Sequence, residues 1–218
     1  RLGYQVKHIE HPESGRSFMS KGMLKEAKQL AEKNVALFSD IINEEIPLVG
    51  IEPSTILSFR DEYLSLTQGA LQGMAKKLAK HVMTIEEFIS HEIDKGQIKA
   101  CSFNEDRKLI KVHGHCHQKS LSSMTPTKKM LSLPMGYTVH MIPSGCCGMA
   151  GSFGYEKEHY ALSMKIGELV LFPAVRNQPQ EVEIVAAGTS CRHQIKDGTG
   201  RIAKHPIATL YDALLPKD

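Results

Sequence analysis

The decapeptide Leu109–Gln118, with the sequence LIKVHGHCHQ, decides how the fold of this chain is interpreted. It opens with a short run rich in Ile and Val, which is typical of a buried strand, and a glycine follows that run shortly before a cysteine. Similar apolar runs alternate with longer segments of helical periodicity along the rest of the chain. Strands that alternate with helices indicate βαβ units and a parallel sheet, so we predict an α/β fold.

The individual elements follow from the period of the apolar residues. Short apolar runs predict strands at Tyr4–Ile9, Pro47–Ile51, Leu109–His113, Thr138–Ile142 and Glu183–Ala187. A period near 3.6 residues predicts helices at Met19–Ile42, Ile56–Leu78, Ile85–Lys95, Lys119–Leu131, Tyr155–Leu171 and Pro206–Leu214.

The chain also carries an internal repeat. Leu2–Val6 resembles Met135–Val139 at an offset of 133 residues, and Leu48-Val49 resembles Ile184-Val185 at an offset of 136. We therefore expect two pseudo-repeated βαβ modules with parallel sheets, the first of them truncated at its N-terminus. In residue numbers, we predict a first module over 1–68, a helical connector over 69–107 and a second module over 108–218.

The two modules differ in their thiols. The offsets pair each repeated thiol of the second module with a residue that lacks sulfur: Cys146 with Glu13, Cys147 with Ser14 and Cys191 with Thr55. Glu, Ser and Thr are not soft ligands, so we expect the first module to be free of metal.

Composition excludes several classes of function. The chain has 218 residues with a formal net charge of +3, which is too small for an electrostatic footprint on nucleic acid. It has no apolar run long enough to span a membrane and no secretory signal, so we expect a cytoplasmic protein without disulfides. Since it begins at Arg1 without an initiator Met, we expect it to be a fragment of a longer protein.

Four of the five cysteines follow predicted strands. Cys116 follows the strand at 109–113, Cys146 and Cys147 follow the strand at 138–142, and Cys191 follows the strand at 183–187. The carboxyl ends of parallel strands lie at one edge of a sheet, where ligands bind. We therefore predict that these four thiols form one metal site, for which an iron–sulfur cluster and zinc are both suitable. Cys101 lies among polar residues and is expected to take no part.

Glycines and basic side chains surround the predicted site. Gly145 and Gly148 flank the cysteine pair and allow backbone amides to point at sulfur. Arg192 and His193 follow Cys191 and could stabilise its negative charge. Three histidines at alternate positions share one strand face and could ligate a metal or hydrogen-bond a sulfur: His113, His115 and His117. We predict that these seven residues surround the ligands.

These motifs resemble the CCG, or cysteine-rich, domain family. The resemblance rests on His113–Lys119, Ser144–Tyr155 and Gly188–Arg192. The family includes the cysteine-rich subunit of heterodisulfide reductase and the iron–sulfur subunits of glycolate oxidase and anaerobic glycerol-3-phosphate dehydrogenase. The chain looks most similar to the C-terminal iron–sulfur part of FAD-linked oxidase fusions. Each family module has a Cys, a Cys-Cys-Gly and a Cys-x-x-Cys that bind an iron–sulfur cluster or zinc, and here Gly188 stands in place of the first Cys of the last pair.

The resemblance implies an electron-transfer role. The chain would be the iron–sulfur module of a flavin-linked oxidoreductase that acts on a 2-hydroxy acid such as glycolate, lactate or 2-hydroxyglutarate. FAD would lie on a separate domain or subunit, and a quinone or an electron-transfer protein would accept the electrons. The chain alone would catalyse nothing. Such a protein would be cytoplasmic or peripheral at the inner face of the membrane.

Two other interpretations remain open from the residues. Four thiolates also suit a zinc-stabilised structural or interaction module without redox activity. The adjacent pair Cys146 and Cys147 could instead serve a vicinal-dithiol redox enzyme.

Overall fold

The computed structural model describes residues 1–216, which form two compact units. The N-terminal unit comprises Tyr4–Thr84. The C-terminal unit comprises Arg1–Gly3 together with the chain from Ile85 onwards. The finer division at residues 68 and 107 stays a prediction. None of the helices within residues 1–216 is long and apolar enough to cross a membrane.

The N-terminal unit is mainly helical. Its helices are α1 (Arg16–Ser20), α2 (Leu24–Ser39), α3 (Pro53–Ile56), α4 (Glu62–Leu66) and α5 (Gly69–Leu78), and its strands are β1 (Leu48–Gly50) and β2 (Val82–Thr84). The two strands pair in parallel. On α2, the buried residues Ala27, Ala31 and Val35 recur at the spacing of one helical face, and this face packs into the core of the unit.

The C-terminal unit contains a three-stranded parallel sheet. Its strands are β3 (Lys108–His113), β4 (Tyr137–Ile142) and β5 (Glu183–Ala186), in the order β4-β3-β5. Its helices are α6 (Ile85–Asp94), α7 (Cys116–Leu121), α8 (Thr125–Leu131), α9 (Lys157–Leu169), α10 (Leu171–Arg176), α11 (Thr189–Thr199) and α12 (Pro206–Asp212). At the end of β3, His113 is aligned with Ile142 on one side and Ala186 on the other, so the three strands end at one level.

Helices cover both faces of this sheet. The helices α6, α8 and α12 pack around a core that contains Ile110 and Val185, while α10 and α11 pack around a core that contains Ile184 and Phe172. Ile184 and Val185 belong to opposite cores because successive side chains of a strand point to opposite faces. The layered arrangement of helices on parallel strands confirms the predicted α/β class.

Several predicted elements are wrong or missing. Residues Tyr4–Ile9 pair with no strand in the described part of the chain, and most of their side chains are exposed, so the predicted first strand is wrong. The sequence pattern misses β2, which has only three residues, and α11, whose composition is mostly polar. The predicted helix Met19–Ile42 is interrupted near Gly22, whose φ of +72° does not fit a right-handed helix.

Candidate metal centre

The four predicted ligands lie just beyond the three strand ends of the C-terminal unit. Cys116 is the first residue of α7, which follows β3 after the short loop Gly114-His115. Cys146 and Cys147 lie in the loop after β4, and Cys191 is the third residue of α11. Because β3, β4 and β5 end at one level, their following loops meet at the same edge of the sheet.

The most compact group of ligand atoms combines two thiols with an imidazole. The sulfurs of Cys147 and Cys191 and one ring nitrogen of His113 all lie within 4.8 Å of one another, and all three residues are buried. His113 Nδ1 forms a hydrogen bond with the hydroxyl of Ser144 at 2.7 Å. Its Nε2 atom is buried and has no hydrogen-bond partner among the described residues.

The four thiols lie next to one another in a row. Cys116 interacts with Cys146, Cys146 with Cys147, and Cys147 with Cys191. Cys116 is exposed, Cys146 is half-buried, and the last two thiols are buried. The row therefore runs from the surface into the core beneath the sheet edge.

The interactions between neighbouring thiols shift their pKa values in alternating directions. The interaction with Cys146 raises the pKa of Cys116 and of Cys147, and burial raises both further. The same interactions lower the pKa of Cys146 and of Cys191, and the imidazole of His113 adds to the effect on Cys191. Neighbouring thiols therefore do not all ionise together without a cation, and four thiolates require a positive charge between them.

The loop of the cysteine pair is held by hydrogen bonds as well as by its glycine. Gly148 has a φ of +103°, and a Cβ atom there would lie 2.1 Å from the carbonyl oxygen of Ser163 on α9. The hydroxyl of Ser163 donates to the Gly148 carbonyl at 2.8 Å, and Gln194 on α11 donates to Ser163 O at 3.1 Å. The amide of Gly148 donates to Cys146 Sγ at 3.2 Å. Only glycine fits this close approach.

Two basic side chains fix the neighbouring loops. Lys119 Nζ on α7 donates to the carbonyls of Ser144 and Gly145 at 2.7 and 2.8 Å, and so joins the segment of Cys116 to the segment of Cys146. Arg192 donates to the carbonyls of Ala186 and Ala187 at the end of β5. Arg192 thus fixes the loop that leads to Cys191, and its predicted effect on the charge of that thiol stays a prediction.

His115 occupies the space of a missing side chain. A Cβ atom on Gly188 would lie 2.3 Å from His115 Cδ2, 3.1 Å from His115 Nε2 and 3.3 Å from Cys191 Sγ. His115 is buried, and its Nδ1 has no hydrogen-bond partner in the described chain. The imidazole therefore lies beside Cys191 at the position where the resemblance leads one to expect another cysteine.

Other predicted site residues do not belong to the compact group. His193 Nδ1 pairs with the hydroxyl of Tyr155 at 2.9 Å at the exposed surface. The ring of His117 lies 6.5 Å from that of His115. A Cβ atom added to Gly145 would meet no atom within 4 Å, so the space there does not require glycine. Sequence reasoning missed the roles of Ser144, Lys119 and Gln194, although the first two lie within the motifs that it identified.

The N-terminal unit holds the corresponding loop without thiols. Asn34 Nδ2 donates to the Glu13 carbonyl at 3.0 Å, and the Tyr63 hydroxyl donates to the Ser14 carbonyl at 2.8 Å. Gly15 has a φ of +73°, like its repeat partner Gly148 in the left-handed region. The sequence of this unit contains no cysteine.

The donor set of the C-terminal unit fits a thiolate-bound metal group. Four free thiols lie in one row, and an unpaired imidazole nitrogen lies beside the two most buried of them. Soft sulfur ligands with imidazole suit zinc and iron–sulfur clusters, whereas hard ions such as Mg²⁺ prefer oxygen. Either group would supply the positive charge that four adjacent thiolates require.

Comparison with known proteins identifies dehydrogenases as relatives. No family model matches the chain. The chain is 26% identical over 215 residues to a D-2-hydroxyglutarate dehydrogenase of Pantoea ananatis and 27% identical over 219 residues to one of Haemophilus influenzae. Each match covers 98% of the chain but only 20% or 21% of the relative. The chain is also 25% identical over 201 residues to one subunit of the anaerobic glycerol-3-phosphate dehydrogenase of Escherichia coli, covering 92% of the chain and 49% of that relative.

These matches confirm the coarser part of the resemblance. The chain is similar to two kinds of oxidoreductase that the resemblance leads one to expect, a D-2-hydroxyglutarate dehydrogenase and a glycerol-3-phosphate dehydrogenase subunit. It spans about a fifth of the length of the D-2-hydroxyglutarate dehydrogenases. A dehydrogenase of that length includes much that this chain does not contain.

Proposed function

We propose that this chain is the iron–sulfur electron-transfer module of a flavin-linked oxidoreductase that acts on a 2-hydroxy acid. The observation that carries the proposal is the row of four thiols at one edge of a parallel sheet, within a chain similar to D-2-hydroxyglutarate dehydrogenases. The chain covers only 20% of such a relative, which supports the proposal that FAD and the hydroxy-acid site lie on another part of the protein. A quinone or an electron-transfer protein would accept the electrons.

Cys116, Cys146, Cys147 and Cys191 would hold the cluster through their sulfurs. A bound iron–sulfur cluster accepts and releases single electrons without proton chemistry of its own. The chain contributes a buried setting for the inner thiols, while exposed Cys116 keeps one side of the site near the surface. Lys119 and Arg192 hold the loops that bear the thiols.

The experiment is anaerobic purification of the chain, with analysis of iron, sulfide and zinc and a visible spectrum. We expect iron and sulfide in the chain, together with broad visible absorption that bleaches on reduction. The Cys147→Ser variant should lack this absorption, and the matched Cys101→Ser variant should keep it, because Cys101 is exposed and lies in a separate segment after α6. A chain that takes up neither iron nor sulfide anaerobically contradicts the proposal.

A second candidate is a zinc-stabilised module without redox activity. The compact group of Cys147, Cys191 and His113 favours it, since mixed cysteine and histidine sites are common for structural zinc. Stoichiometric zinc, no sulfide and a colourless protein after anaerobic purification would select this function. A metal-free chain with a disulfide between Cys146 and Cys147 would select the dithiol enzyme instead.

A further inference from the structure

His113 lies at the centre of the sheet edge. It is the last residue of the central strand, and it is 1% exposed between the ends of β4 and β5. Its Nδ1 atom lies 2.7 Å from Ser144 Oγ, two residues before Cys146. The ring is therefore fixed on one side by a residue of the cysteine loop itself.

The other side of the ring faces the thiols without a partner. Nε2 is buried and has no hydrogen bond in residues 1–216, and an unsatisfied buried nitrogen costs stability. A ring nitrogen lies within 4.8 Å of the sulfurs of both Cys147 and Cys191, and Nδ1 is already bonded to Ser144, which leaves Nε2 as the free ligand atom. Ligands of one tetrahedral zinc lie roughly 3.5–3.8 Å apart, so the group needs little movement to close on an ion.

We propose that His113 is a nitrogen ligand of the metal group bound by Cys147 and Cys191, and that Ser144 fixes its ring. The inference rests on the proposed metal-binding role of the site. Nδ1 carries the ring proton and donates it to Ser144 Oγ, which leaves Nε2 unprotonated towards the metal. Metal-binding histidines commonly have such a partner on the second ring nitrogen. The row of thiols alone does not give this ligand set, because His113 is the last residue of β3 and not one of the four cysteines.

A neutral imidazole changes the charge of the site. The imidazole of His113 adds no negative charge to the ligand set, whereas a thiolate at the same position would add one. In iron–sulfur centres, imidazole in place of thiolate raises the reduction potential. The His113→Cys variant should therefore lower the potential of an iron-loaded chain, whereas a purely structural histidine would not affect it in this direction.

The test measures the ligand shell and the metal affinity. X-ray absorption at the iron or zinc edge counts nitrogen and sulfur neighbours in the wild-type chain and in His113→Gln, and competition with a chelator gives the affinity. We expect a nitrogen neighbour in the wild type and its loss in His113→Gln, with at least tenfold weaker binding. Ser144→Ala should weaken binding about 10- to 100-fold. His140→Gln, an exposed histidine on β4, is the matched control and should leave both measurements unchanged.

The outcomes separate this inference from the proposed function. A sulfur-only shell in the wild type, or equal affinity in wild type and His113→Gln, overturns the inference and leaves the proposed function standing. If the chain takes up no iron, the proposed function fails. Zinc added to the metal-free chain then still tests whether His113 is a ligand, by the same absorption and affinity measurements. A chain that binds neither metal overturns both. If His113→Gln does not fold by circular dichroism, Ser144→Ala decides, and unchanged affinity in that variant rejects the role of Ser144 and His113 together.

Discussion

Replacing Gly188 by Ala tests whether His115 fills the place of a side chain at that position. The backbone at Gly188 has φ −72° and ψ 134°, which alanine adopts without strain, so the effect comes from the added methyl group. That methyl would lie 2.3 Å from His115 Cδ2, and the ring would have to move about 1.1 Å to restore ordinary contact at 3.4 Å. Overpacking of this kind costs about 1–3 kcal/mol, while loss of glycine entropy in the unfolded chain returns about 0.4–1 kcal/mol.

We therefore expect Gly188→Ala to lower the free energy of unfolding by about 1–2 kcal/mol, measured by urea denaturation of the metal-free chain. Gly145→Ala is the control, because its methyl group meets no atom within 4 Å. The double variant His115→Ala with Gly188→Ala should lose less stability than the sum of the two single variants, since the clash is absent. Equal stability of Gly188→Ala and Gly145→Ala, or simple additivity in the double variant, would refute the reasoning.

Three further predictions concern the thiols and the far end of the sheet. Cys147→Ser should abolish metal binding while Cys101→Ser keeps the wild-type metal content per chain; equal retention in both would show that the ligands are wrongly assigned. Since the neighbouring thiols and burial raise the pKa of Cys116 and of Cys147, metal binding should release protons and tighten as pH rises. A pH indicator and zinc titrations at several pH values would measure this, and affinity independent of pH would contradict it. Glu183 accepts a hydrogen bond from Lys108 at 3.1 Å, at the end of β5 that is remote from the thiols. Glu183→Gln should therefore lower the free energy of unfolding in urea by about 1–2 kcal/mol without changing the metal content. Loss of metal would mean that the two ends of the sheet are coupled.

The sequence predicts the parallel strands that position the site because each carries a strong local pattern. The three apolar runs before the cysteines appear as β3, β4 and β5, and their common end level follows from parallel pairing. The pattern at Tyr4–Ile9 looks similar, yet those residues remain unpaired in the described structure. Local periodicity shows that a segment can form a strand, whereas a neighbouring strand and a core decide whether it does.

The surroundings of the thiols depend on contacts that no local pattern encodes. Ser144 and His113 are 31 residues apart in the chain, and Gln194 reaches Ser163 across the same separation. The contact of His115 with Gly188 likewise joins two loops that follow different strands. The spacing indicates that three histidines lie near Cys116. It could not distinguish His113, which lies beside Cys147 and Cys191, from His115 and His117.

The two units together show what the thiols contribute. In the N-terminal unit, side-chain hydrogen bonds from Asn34 and Tyr63 hold the loop before Gly15, and no sulfur takes part. In the C-terminal unit, Ser163 holds the corresponding loop through the Gly148 carbonyl in the same manner. In both units, therefore, side chains hold the loop by hydrogen bonds to its backbone carbonyls. Four adjacent thiols are electrostatically costly as thiolates without a cation, so they indicate a site for a metal group, and zinc and an iron–sulfur cluster would each supply the positive charge.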